Sequence, residues 1–135
     1  MEYINEFESV NQIKECAEYY INLLGLQDWK ILYSLGKCSN SENAGECESI
    51  FEEKCAKITI AKGLPSDLWF KQPQELTLIH ELLHCKIELY DNGSLESKVM
   101  YQQQHTIIDD WARSVFYARY RLSHKDLYIE EDEQC

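Results

Sequence analysis

Two histidines four residues apart, His80 and His84, lie in a run whose apolar residues Leu76, Ile79, Leu83 and Ile87 recur at helical spacing. Only at 3.6 residues per turn do those four side chains share a stripe, so the run predicts a helix. Pro73 suits its first turn, because the ring presets φ and the missing N–H has no intrahelical partner there anyway. The helix is expected to continue to about Tyr90. On it His80 and His84 project from one face about one turn apart, and Glu81 lies about 100° further round. The apolar stripe beside the histidines needs a packing surface, and the rest of the chain must provide it.

Upstream, Ser9-Val10-Asn11-Gln12 reads as a capping box opening a helix through Val10, Ile13, Ala17, Tyr20, Ile21 and Leu24, with Gly25 as its stop. From Trp29 to Leu35 the period changes to two, which predicts a strand. Gly36 to Gly45 is a loop by composition, and two short strands follow near Glu46–Glu52 and Lys54–Ala61. Gly63-Leu64-Pro65-Ser66 ends that sheet. Beyond the histidine helix, Asp91-Asn92-Gly93-Ser94 is a turn. A long last helix is expected from about Leu95 to Leu122, with Val99, Ile108, Trp111, Val115 and Ala118 among its apolar positions. Helix, three strands, helix, helix is an α+β order. Residues 1–128 are expected to form one domain, and 129–135 an acidic tail.

The formal charge of −11 on 135 residues disfavours phosphate backbones and anionic lipid, so neither nucleic acid nor a membrane is an expected partner. An acidic nucleic-acid mimic is a reading that rests on the charge alone. The start, Met1-Glu2-Tyr3-Ile4-Asn5-Glu6, lacks the basic-then-apolar order of a signal peptide, and a cytoplasmic location is expected. The six cysteines contain no C-x-x-C pair and are expected to be free thiols; convergence of Cys38, Cys47 and Cys55 on a second metal is the less favoured alternative.

Chemistry is concentrated at His80-Glu81-Leu82-Leu83-His84. Two imidazoles at this spacing can reach one metal ion, and Glu81 is placed to take a proton from water beside it, the pattern of a metal-dependent peptidase. A catalytic zinc needs a third protein ligand and an open position. The last helix offers His105, twenty-one residues after His84, with Asp109 one turn further along. His105 is assigned as the third ligand, with Asp109 hydrogen-bonding a ligand histidine; the reverse, Asp109 as ligand, stays open. Gln104 cannot supply a carboxylate. Glu88 shares the histidine face but follows His84 closely, and His124 reads as a surface residue. Tyr101, one turn before His105, is a candidate oxyanion donor.

Trp29-Lys30-Ile31, the Ala56–Ala61 strand, Ile79-His80-Glu81-Leu82-Leu83-His84 and the segment around His105 together resemble the minimal zincin proteins of phages and mobile elements and, more distantly, SprT-like and repressor-cleaving metallopeptidase domains. The resemblance implies a gluzincin-like core with one zinc. It also implies that Ala56–Ala61 is an edge strand lining the cleft and binding an extended peptide or protein substrate by strand addition. A histidine stands where the third gluzincin ligand is usually glutamate. The expected function is zinc-dependent peptide hydrolysis with Glu81 as general base. A catalytically silent, zinc-stabilised protein-binding module is the alternative.

Overall fold

A computed structural model describes residues 2–63, 69–89 and 92–129. Leu64 to Ser66, Tyr90, Asp91 and all but the first residue of the acidic tail lie outside those residues. The order is α1 (Val10–Leu24), β1 (Lys30–Gly36), β2 (Gly45–Ile50), β3 (Cys55–Ala61), α2 (Gln74–Leu83) and α3 (Leu95–Tyr120). This is an α+β arrangement of three helices and one small mixed sheet. Among the described residues no helix is long and apolar enough to cross a membrane.

Local sequence sets most of the helix ends. The Ser9 side chain accepts from the Gln12 N–H, and Gly25, at φ 72°, returns its N–H to the Ile21 carbonyl. The Gln12 side chain reaches back to the Glu8 N–H at 2.7 Å, one residue earlier than a standard capping box. Ser94 caps α3 in the same manner, accepting from the Ser97 N–H.

The sheet order is β1-β3-β2, with β3 parallel to β1 and antiparallel to β2. The expectation of Ala56–Ala61 as an edge strand is therefore corrected. Both edges of β3 are hydrogen-bonded within the sheet, so no further chain can pair with it. Its inward residues Ala56, Ile58 and Ile60 are buried in the core, which the alternation in the sequence did indicate. Burial alone does not tell a central strand from an edge strand. The strand with a free edge beside α2 is β2.

One face of the sheet packs on α1 and α2, and α3 lies on α2; the core so formed includes Ile13, Ala17 and Tyr20 of α1, Leu78, Ile79 and Leu82 of α2, and Ile108, Ala112 and Phe116 of α3. Val99, expected on the apolar face of α3, is exposed. The buried apolar residues of α3 begin only at Ile108.

The start of α2 is held by two buried polar residues. Gln74 accepts from the Phe7 N–H at 2.7 Å and donates to the Ala61 and Gly63 carbonyls at 2.7 and 2.9 Å, joining the chain start, the end of β3 and the helix. Glu75, wholly buried, accepts from the Tyr20 hydroxyl, from the Tyr120 hydroxyl at 2.5 Å, from Arg119 at 3.3 Å and from the Ile4 N–H at 2.9 Å. A buried carboxylate is tolerated only with such compensation. These bonds tie α2 to both α1 and α3 and so set the placing of the histidines one to two turns later.

The helix is shorter than its sequence pattern. It ends at Leu83, and from His84 the chain tightens, with i→i−3 bonds from His84 to Glu81, Cys85 to Leu82 and Lys86 to Leu83. His84 is thus the capping residue, still in helical conformation at φ −63° and ψ −18°.

Candidate metal centre

His80 and His84 from the end of α2 meet His105 from α3. One ring nitrogen of each lies within 4.8 Å of the others, an arrangement that could hold a metal ion. The ring centroids are 5.0 Å apart for His80 and His84, 4.9 Å for His80 and His105, and 5.9 Å for His84 and His105. Asp109 stands behind the cluster. Its Oδ1 lies 2.8 Å from His80 Nδ1 and its Oδ2 3.5 Å from His105 Nδ1. Nδ1 of His80 therefore faces a carboxylate and Nε2 is left for a metal, the usual role of a carboxylate behind a ligating imidazole. The short contact places Asp109 in a supporting position; the three-histidine set does not require it as a ligand.

Protonation favours the same use. Burial pushes the His84 pKa down to about 4, with His80 and His105 adding repulsion against a proton. Burial also lowers His80, against the opposing pull of Asp109. Neutral imidazoles are what a metal ion requires. Three of them, backed by a carboxylate, make a donor set suited to a first-row transition metal.

Glu81 lies on the wall of the same cavity, which has a volume of about 710 Å³. It is only 6% exposed, and none of the described residues donates a hydrogen bond to its carboxylate; the nearest partner is His84 Nε2 at 3.9 Å. Burial, then the Glu46 and Asp109 carboxylates, raise its pKa to about 8. A carboxyl held this way exchanges its proton near neutral pH, the range in which a general acid–base group works. Tyr101 also lines the cavity, its ring lying parallel to that of His105 at 6.3 Å. Glu88 lines it from the segment after α2. His124 lies elsewhere, exposed, stacked on Phe70 and bonded to the Tyr117 hydroxyl at 2.7 Å.

The opposite wall is β2, which the sequence pattern did not single out. Gly45, Glu46, Cys47 and Ser49 all line the cavity, so consecutive residues of one strand border it, as happens along an open edge. Gly45 reads in sequence as the end of a loop. In the fold it is where α2 touches the strand: a Cβ there would lie 2.8 Å from Thr77 Cγ2 and 3.1 Å from Glu81 Oε2. The close approach is visible only once helix and strand are in place. The Cys47 thiol faces that of Cys85, and this contact and then burial raise its pKa. Cys16, Cys38, Cys47, Cys55 and Cys85 are all free thiols. The three histidines are the one group of potential metal ligands among the described residues, so Cys38, Cys47 and Cys55 form no second centre there.

Comparison of the chain with protein-family models, with curated protein sequences and with solved structures finds no match in any of the three.

Proposed function

We propose that the protein is a zinc-dependent peptidase with a zincin-like, gluzincin-related site. The observation that carries this reading is the convergence of His80, His84 and His105 on one point, with the buried Glu81 carboxylate on the wall of the same cavity. Zinc suits three imidazoles with an open fourth position, where it polarises a carbonyl and brings the pKa of water towards 7. His80, His84 and His105 would hold the ion, with Asp109 orienting His80. Glu81 accepts a proton from the attacking water and passes it to the leaving amine. A purely structural zinc site has no use for such a base, and is usually closed and rich in cysteine. Tyr101 is the donor proposed for the oxyanion that develops on the carbonyl.

The substrate is an extended peptide or protein segment. Its docking strand is β2, an edge strand of the sheet whose residues Gly45, Glu46, Cys47 and Ser49 line the cavity, in place of the central β3. Main-chain pairing along β2 brings a backbone carbonyl over the histidines without demanding a particular side chain.

The test separates metal from chemistry. Glu81→Gln is expected to retain one zinc per chain while hydrolysis of an unstructured protein falls by at least about a hundredfold. His84→Ala should lose both zinc and hydrolysis. Zinc content by elemental analysis beside a cleavage assay decides it. Full activity in Glu81→Gln would remove the assigned base, and zinc binding without cleavage by the unmodified protein would leave a zinc-stabilised binding module.

A further inference from the structure

The charge of the cavity says more about what enters it, granting the peptidase reading on which this inference rests. Among the described residues four carboxyl groups line it: Glu81 and Asp109 beside the histidines, Glu46 on β2 and Glu88 on the segment after α2. Among the described residues no lysine or arginine lines it. Arg113, the arginine that acts on His80, pairs with Asp110, and Lys86 reaches back towards Gly25. A dication at the histidines offsets two of the four negative charges and leaves the cleft acidic. The two carboxylates without a part in the metal centre are Glu46 and Glu88.

Their settings differ. Glu46 is anchored, its oxygens accepting from the Ser39 N–H at 3.1 and 3.0 Å and from the Ser39 hydroxyl at 3.3 Å. Donors of this kind fix the position of a carboxylate. Glu88 is exposed and makes no ion pair with the described residues. Acidic groups alone are ordinary surface. Here they flank a buried polar side chain, Glu81, which lacks a hydrogen-bond donor among the described residues and faces the same space. A group of that kind is expected to meet a ligand or water.

We infer that the cleft selects a peptide carrying lysine or arginine next to the bond held over the histidines, with Glu46 and Glu88 as the recognising groups. One lies on the docking strand and the other on the segment that follows α2, so the basic side chain is met from two elements of the fold. An acidic peptide meets repulsion from both.

Binding tests this without requiring turnover. Fluorescent peptides identical except for a central lysine, norleucine or glutamate are titrated, at low salt, into zinc-loaded Glu81→Gln protein and followed by anisotropy. The lysine peptide is expected to bind about tenfold tighter than the norleucine peptide, with the glutamate peptide weakest. The preference should shrink in each of Glu46→Gln and Glu88→Gln and disappear in the double variant, whose circular dichroism reports retention of the fold. Equal binding of lysine and norleucine peptides, no binding of any peptide, or a preference intact in the folded double variant would overturn the inference. Cleavage of the lysine peptide by the unmodified protein is scored separately. The expected binding order without cleavage supports the recognition and counts against the peptidase reading alone.

Discussion

Glu81 and His84 are buried within one turn of each other, and burial moves their proton affinities in opposite senses relative to the unfolded chain. Glu81 rises from 4.5 to about 8. The folded state therefore holds its proton more tightly, and the stability this contributes is present below pH 4.5 and lost as pH rises through 8. His84 falls from 6.5 to about 4, so its contribution is present above pH 6.5 and lost as pH falls through 4. Between pH 6.5 and 8 the histidine contribution is complete and Glu81 dominates. Metal-free protein is expected to lose about 2 kcal/mol of unfolding free energy across that window. Glu81→Gln should flatten the loss. Urea denaturation at several pH values in the presence of a chelator measures it, and an equal slope in the two proteins would show that Glu81 is not the group responsible.

At the scale of elements, the site depends on how closely α2 lies on β2. Gly45 permits this, since any side chain there meets the Thr77 methyl and the Glu81 carboxylate at once. Gly45→Ala is expected to cost about 1–3 kcal/mol through overpacking. Thr77→Ser removes the offending methyl and keeps the hydroxyl that accepts from Gln72 at 3.3 Å, so the double variant should recover part of the loss. A neutral Gly45→Ala in chemical denaturation would mean that helix and strand separate at little cost. The same contact explains why β2 rather than β3 faces the cavity: the hairpin through Phe51–Glu53 and the left-handed Lys54, φ 52°, lays β2 along the outer side of β3.

For the whole molecule, the proposed zinc site joins α2 to α3, which otherwise meet through Ile108, Ala112 and Phe116 further along. A ligand bound only by the folded state stabilises by mass action. Free zinc at a hundredfold excess over Kd is expected to add about 2.7 kcal/mol, which for a chain of this size is roughly 10 °C in Tm. His105→Ala should lose most of that gain, because it removes the α3 ligand. A Tm rise that survives the substitution unchanged would place the zinc elsewhere.

The elements and the candidate ligands were legible in the chain because they are written in short-range patterns. The 3.6-residue stripe, the alternation in Ala56, Ile58 and Ile60, the caps at Ser9 and Gly25, and the four-residue step from His80 to His84 each span only a few residues. The pairing of His105 with Asp109 was readable for the same reason, both being one turn apart on one helix. Strand order was not readable, since β1 and β3 both present apolar residues inward and neither alternation states its neighbours. Nor was the early end of α2, where the apolar pattern runs on to Ile87 but the backbone tightens at His84. The approach of Gly45 to Thr77, and of Glu46 to Glu81, joins residues more than thirty positions apart. Such contacts arise from the packing of α2 across the β2 edge, which no local pattern encodes and which the buried Gln74 and Glu75 bonds hold in place.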